Sequence, residues 1–274
     1  MPLRTAEISF RTLDGLNLAG TYTAPNGPVH HAVAMVHGGG VTREEGGFFT
    51  HLAAGLGEAG VATLRYDLRG HGVSEGRQQD NTLTAHLNDI RVALTTVRDT
   101  AGTETVSLLG ASFGGGLCAY YAAEGNAPLD RLVLLNPQLN YKDRYIDQKP
   151  YWSHDRLNDD MARHLRDEGF IAHSSTVKHG RAMLNEVFWI RPNQVLGHIT
   201  APTLIVHGTK DTFVPIEASR AAAAQLHTRH KLVEIEGSQH GFAVHDDPRY
   251  LNPQSQEWQA FVIHTVTDWI TTAG

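Results

Sequence analysis

One stretch constrains this chain more than any other. The run Thr105-Val-Ser-Leu-Leu-Gly-Ala-Ser112-Phe-Gly-Gly-Gly116 carries an apolar strand straight into Gly-x-Ser-x-Gly, and small residues then open a helix. A serine between glycines at such a strand-to-helix turn stands clear of the backbone, which is the geometry of a nucleophile elbow. It also lies at a helix N-terminus, where free N–H groups favour negative charge. The same spacing recurs at Gly72-Val-Ser74-Glu-Gly76. There no strand leads in and no apolar helix leaves, so Ser74 reads as a turn serine and Ser112 as the nucleophile. The bland alternative for Ser112, a helix N-cap, weakens once partners for it are found.

The pattern around this turn predicts an α/β protein. Strands are expected at Ala6–Thr12 and Leu16–Ala24, paired antiparallel about Asp14-Gly15, then at His31–Val36, Val61–Tyr66, Thr105–Leu109, Arg131–Leu135, Thr203–Val206 and Leu232–Ile235. Helices are expected at Phe48–Ala59, over Thr82–Arg98, after Ser112 to about Glu124, and at the C-terminus, where Trp258, Phe261, Val262, Val266, Trp269 and Ile270 form one stripe. Continuous apolar strands alternating with helices imply a mostly parallel sheet covered on both faces. About sixty residues, 138–198, separate two of these strands, far more than a crossover needs. They are rich in aromatics and nearly balanced in charge. They read as a small, largely helical cap inserted into a core of residues 1–137 and 199–274.

Two further strand ends supply partners for the serine. Leu204-Ile-Val-His-Gly208 leads into Asp211, and Leu232-Val-Glu-Ile-Glu-Gly237 leads into His240. Sites in open parallel sheets form at the carboxyl ends of strands. A serine hydroxyl needs a base and a group that orients the base, and Ser112, Asp211 and His240 fall in the order in which this fold type places them. Asp246 and Asp247 are the rival acids. His37-Gly-Gly-Gly40 follows the third strand, and its glycines let backbone N–H groups approach a substrate carbonyl. Gly39 is the first oxyanion candidate and Gly40 the second, with Phe113 from the elbow. His37 is expected to hold this loop, and Asp67 and Arg69 to pair with each other.

These motifs, His37-Gly-Gly-Gly40, Asp67-x-Arg-Gly-x-Gly-x-Ser74, Gly110-x-Ser-x-Gly114, Gly208-x-x-Asp211 and His240-Gly, resemble the α/β-hydrolase superfamily over nearly the whole chain. The position of the insertion resembles cinnamoyl and feruloyl esterase-like members. The resemblance implies a serine esterase that works through an acyl-enzyme and needs no cofactor. A thioesterase, an amidase, an acyltransferase of a biosynthetic pathway and a non-catalytic ligand-binding relative stay open. Serine at the elbow separates the chain from the dehalogenase and epoxide-hydrolase branches, which carry aspartate there.

The remaining composition narrows the setting. A net charge of −6 argues against nucleic acid or an anionic membrane as partner. No apolar run approaches a membrane span, and the N-terminal residues do not read as a signal peptide. With one cysteine, Cys118, in an apolar helix, the expected setting is a cytoplasmic one. The partner expected is a small ester or related acyl compound, and a homodimer stays open. The 17 histidines show no zinc-binding spacing. In the cap, Tyr141, Tyr145, Trp152 and Trp189 are candidates for substrate binding, beside Tyr151 and Phe188, and Lys142, Arg144 or Lys149 are candidates for an anionic substrate end.

Overall fold

The computed structural model describes residues 2–125, 128–245, 247 and 249–272. Eight strands form the central sheet: β1 (Leu3–Arg11), β2 (Asn17–Pro25), β3 (His31–Val36), β4 (Val61–Tyr66), β5 (Val106–Ala111), β6 (Leu132–Leu135), β7 (Thr203–Gly208) and β8 (His230–Ile235). Their order is β1-β2-β4-β3-β5-β6-β7-β8. β1 and β2 pair antiparallel, β2 runs antiparallel to β4, and every later pairing is parallel.

Strand alternation divides the core into two layers. Ala32, Ala34 and Val36 point to one face and Val33 and Met35 to the other. The first face is covered by α2 (Leu83–Ala101) and α3 (Ser112–Ala123), through Leu83, Ile90, Leu94 and Val97 of α2 and Leu117 and Cys118 of α3. The second is covered by α1 (Phe48–Glu58) and α7 (Pro253–Thr271), through Phe48, Phe49, Leu52 and Leu56 against Val262, Val266 and Ile270. α2 starts where Thr82 accepts from the Ala85 N–H at 2.9 Å and stops at Gly102, which has φ +69°. Cys118 is fully buried in α3, and burial holds its thiol well above the ordinary value, so it serves as packing. Among the described residues no helix is long and apolar enough to cross a membrane.

Between β6 and β7 the chain is mixed rather than largely helical. It contains a π-helical turn (Asp143–Asp147), α4 (Asp159–Glu168), α5 (Arg181–Glu186) and two short antiparallel pairs, Trp152–Ser153 with Arg156–Leu157 and Phe170–Ala172 with Lys178–Gly180. Helical spacing was not the organising signal here; turns at His154-Asp155 and 173–177 fold the segment back on itself. One helix of the core, α6 (Ile216–Ala223), was not expected from the sequence; it is only eight residues long, too short for a helical period to stand out.

Candidate active site

Ser112 is the first residue of α3 and has φ +48°, a left-handed conformation that a non-glycine residue adopts at a cost of order 1–3 kcal/mol. Close packing imposes it. A Cβ at Gly114 would run into the carbonyl oxygens of Val36 and His37, and one at Gly116 into the Gln138 carbonyl and the Tyr141 hydroxyl. The elbow is pinned from the following segment as well: Gln138 N–H donates to Ser112 O at 2.8 Å, and Tyr141 Oη donates to Phe113 O at 2.6 Å.

Asp211, in the loop after β7, is almost wholly buried, and each of its oxygens is occupied. Oδ1 accepts the N–H groups of Phe213 at 2.8 Å and Val214 at 2.9 Å. Oδ2 lies 2.6 Å from His240 Nδ1 and 3.3 Å from His207 Nε2. Burial opposes ionisation, but the hydrogen bonds from His207, His240 and Val214 prevail and hold the carboxyl well below the ordinary aspartate range. His207 is fully buried, between Ser219 Oγ at 2.7 Å from Nδ1 and the Val214 carbonyl at 2.9 Å from Nε2. Those partners assign its proton to Nε2, which aims a second donor at Asp211. Its contact with Asp211 helps keep that carboxyl ionised, and sequence reasoning passed His207 over although it sits in the strand end already singled out.

Ser112 and His240 face one cavity of about 510 Å³. Its walls include Gly39, Gly40, Phe113, Tyr145, Val177 and Phe213. Among the described residues no hydrogen bond joins Ser112 Oγ to His240, a contact that such sites often tighten only with substrate bound. The Gly38 N–H is already taken by Glu45 Oε2 at 2.7 Å, whereas the N–H groups of Gly39 and Gly40 carry no hydrogen bond among the described residues. Gly39 packs beside the Phe113 side chain. His37 spans the base of this loop: its Nδ1–H donates to Gly38 O at 2.7 Å, and its Nε2 accepts the Leu68 N–H at 2.9 Å. Burial first, then His71, pushes its pKa down to about 3, so it is a neutral strut. Glu45 also lines the cavity. Burial raises its carboxyl, against the Gly38 N–H and the nearby His240.

Several expected neighbours lie elsewhere. Tyr141 is fully buried beneath the elbow and holds it from behind rather than facing substrate. Trp152 packs against Phe188 at 6.2 Å between ring centroids, and Trp189 is 67% exposed; neither lines the cavity, and Tyr145 does. Lys142 is held by Asp147 at 2.7 Å and Asp155 at 2.8 Å. Asp67 and Arg69 do not pair with each other. Asp67 faces Arg43 at 2.7 Å, while Arg69 forks onto Asp89 and reaches Asp14 at 2.8 Å, because distant segments bring each of them a closer partner. Ser74 is consumed by the turn, donating to Asp67 O at 2.7 Å and accepting from Ala19 N at 2.9 Å. Asp247 caps the N–H groups of Leu251 and Asn252. Asp246 lies outside the described residues.

The comparisons agree with this architecture. A monoacylglycerol lipase of Mycolicibacterium smegmatis is 25% identical over 288 residues, covering 97% of each chain. A non-heme chloroperoxidase, CPO-A1 of Kitasatospora aureofaciens, is 29% identical over 68% of this chain and 78% of its own. The solved structure of Est1E from Butyrivibrio proteoclasticus with ferulic acid bound superposes with a TM-score of 0.76 at 24% identity, covering 94% of this chain and 99% of that one. Residues 27–247 match the family described as serine aminopeptidase S33. With its eight-stranded sheet and strained serine turn, the chain belongs to that family of α/β-hydrolases.

Proposed function

We propose that this protein hydrolyses carboxylic esters through an acyl-enzyme formed on Ser112. One observation carries the reading: a strained, half-buried Ser112 shares a cavity with His240, whose other ring nitrogen is held 2.6 Å from buried Asp211. The Asp211 carboxylate keeps the His240 proton on Nδ1 and leaves Nε2 as the base. As Ser112 Oγ bonds to the acyl carbon, Nε2 takes the hydroxyl proton. The carbonyl electrons move to oxygen, which the N–H groups of Gly39 and Phe113 receive, with Gly40 as the alternative donor. His240 passes the proton to the departing alkoxide, and water repeats the sequence to release the acid. The lipase relative supports ester chemistry, and the fold match to Est1E with ferulic acid bound is compatible with it.

The family description names a peptidase, which favours amide cleavage as the second reading. Labelling with a fluorophosphonate, followed by kinetics on matched ester, thioester and amide substrates, tests both. Wild type is expected to label and Ser112→Ala is not. A faster amide than ester would transfer the assignment to amidase chemistry, and a wild-type protein that does not label would favour a ligand-binding role.

A further inference from the structure

The cavity around Ser112 contains two cations that form no ion pair among the described residues. Arg144, in the π-helical turn, and Lys149, just beyond it, both line the cavity and are half-buried. Among the described residues neither has an ion pair, although Lys142 on the same turn has two. The Arg144 guanidinium lies 6.0 Å from the centre of the Phe213 ring, which orients it without neutralising it. The two cations also disturb their surroundings. Burial and then Arg144 lower the Lys149 pKa; burial, Lys149 and Arg144 lower that of His173 to about 4. Holding two like charges partly out of water costs free energy unless an anion joins them.

We propose that the substrate carries a carboxylate away from the scissile ester and that Arg144 and Lys149 bind it. This inference rests on the ester chemistry proposed at Ser112. A guanidinium fork fits a carboxylate with two parallel hydrogen bonds, and the ammonium adds a point charge. His173 and Ser174 stand on the same wall as neutral polar groups. Glu45 is the acid of this lining, so the cavity carries about one net positive charge, which suits a monoanion better than a phosphate dianion.

The test uses mono-4-nitrophenyl adipate and its methyl ester, which share the adipoyl chain and the scissile 4-nitrophenyl ester and differ in the remote charge. Wild type is expected to prefer the acid by at least about tenfold in kcat/KM, mostly through KM, and to lose that preference as salt rises. Arg144→Gln and Lys149→Gln should each shrink the ratio, and the double variant should bring it to within about twofold of unity. The neutral ester should change less than about twofold throughout, and Lys142→Gln should keep the preference. Because neither cation has an ion pair among the described residues, the double variant should melt close to wild type. Calorimetry of monomethyl adipate on Ser112→Ala separates the two proposals. Binding that disappears with Arg144 and Lys149, without hydrolysis by wild type, would overturn the ester reading alone. Equal kcat/KM for the two esters, or binding that survives the double substitution, would overturn the carboxylate site.

Discussion

Replacing Asp211 by asparagine removes one charge and two lone pairs from a site that uses all of them. The amide oxygen can still accept the Phe213 and Val214 N–H groups at 2.8 and 2.9 Å, so the loop should keep its shape. The amide nitrogen must then face His240 Nδ1, where the carboxylate oxygen lies at 2.6 Å. An N–H donor there selects the tautomer with its proton on Nε2, the atom that must act as base, and no carboxylate remains to stabilise the imidazolium. Equivalent losses amount to roughly 10³–10⁴ in kcat, or about 4–5.5 kcal/mol at 1.36 kcal/mol per decade. His207 keeps its Ser219 and Val214 partners, so stability should change far less than activity. Turnover of 4-nitrophenyl acetate, the rate of fluorophosphonate labelling and a thermal melt together make the measurement. A variant with a native melt and kcat within tenfold of wild type would refute the assignment of Asp211. Asp247→Asn serves as the comparison and should stay within a few-fold of wild type, since that carboxylate only caps a loop.

Ser112→Ala should lose several orders of magnitude in turnover, whereas Ser74→Ala should keep kcat within a few-fold and lose about 1–3 kcal/mol of stability, because it leaves the Ala19 N–H without its acceptor; urea unfolding and initial rates distinguish them. Acid should destabilise the fold well above the carboxylate range. His37 and His179 are buried with pKa values pushed down to about 3, so between pH 6.5 and 3 the unfolded chain binds protons that the native state refuses. Stability is therefore full above about pH 6.5 and falls as pH drops, by about 2 kcal/mol per histidine between pH 7 and 5. Urea midpoints across that range check this, and His179→Gln should flatten the slope. Tyr145→Ala should change kcat/KM unevenly across esters of different acyl size while Trp189→Ala does not, because only Tyr145 lines the cavity; equal effects of both would assign the aromatics to support alone. Activity should survive prolonged chelation, as the proposed oxyanion donors are backbone N–H groups, and a loss restored by zinc would contradict this.

Most of the sheet was legible in local pattern. β3 and β7 appear where continuous apolar runs begin and end, and the elbow is visible because strand, glycines and helix are adjacent in sequence. The three strand-end residues could be named for the same reason: each follows its strand by a few residues, and parallel topology then brings those ends to one side of the sheet. Contacts that depend on how loops cross were not legible. The sequence offers Asp67 and Arg69 as neighbours, yet segments distant in sequence give them different partners, Arg43 and Asp89. The inserted segment has no periodicity that distinguishes an aromatic facing substrate from one that braces the elbow. Tyr141 and Tyr145 are four residues apart and stack at 6.1 Å, but only the first is sealed beneath the Phe113 carbonyl. Likewise three lysines and arginines stood as equals in the sequence, and only the fold paired Lys142 and left Arg144 and Lys149 facing the cavity. Chemistry carried by residues next to their own strand is written in the chain. Which side chains keep a free charge is decided only when distant loops supply counter-ions or fail to, because pairing energy depends on separations of a few ångströms that sequence distance does not report.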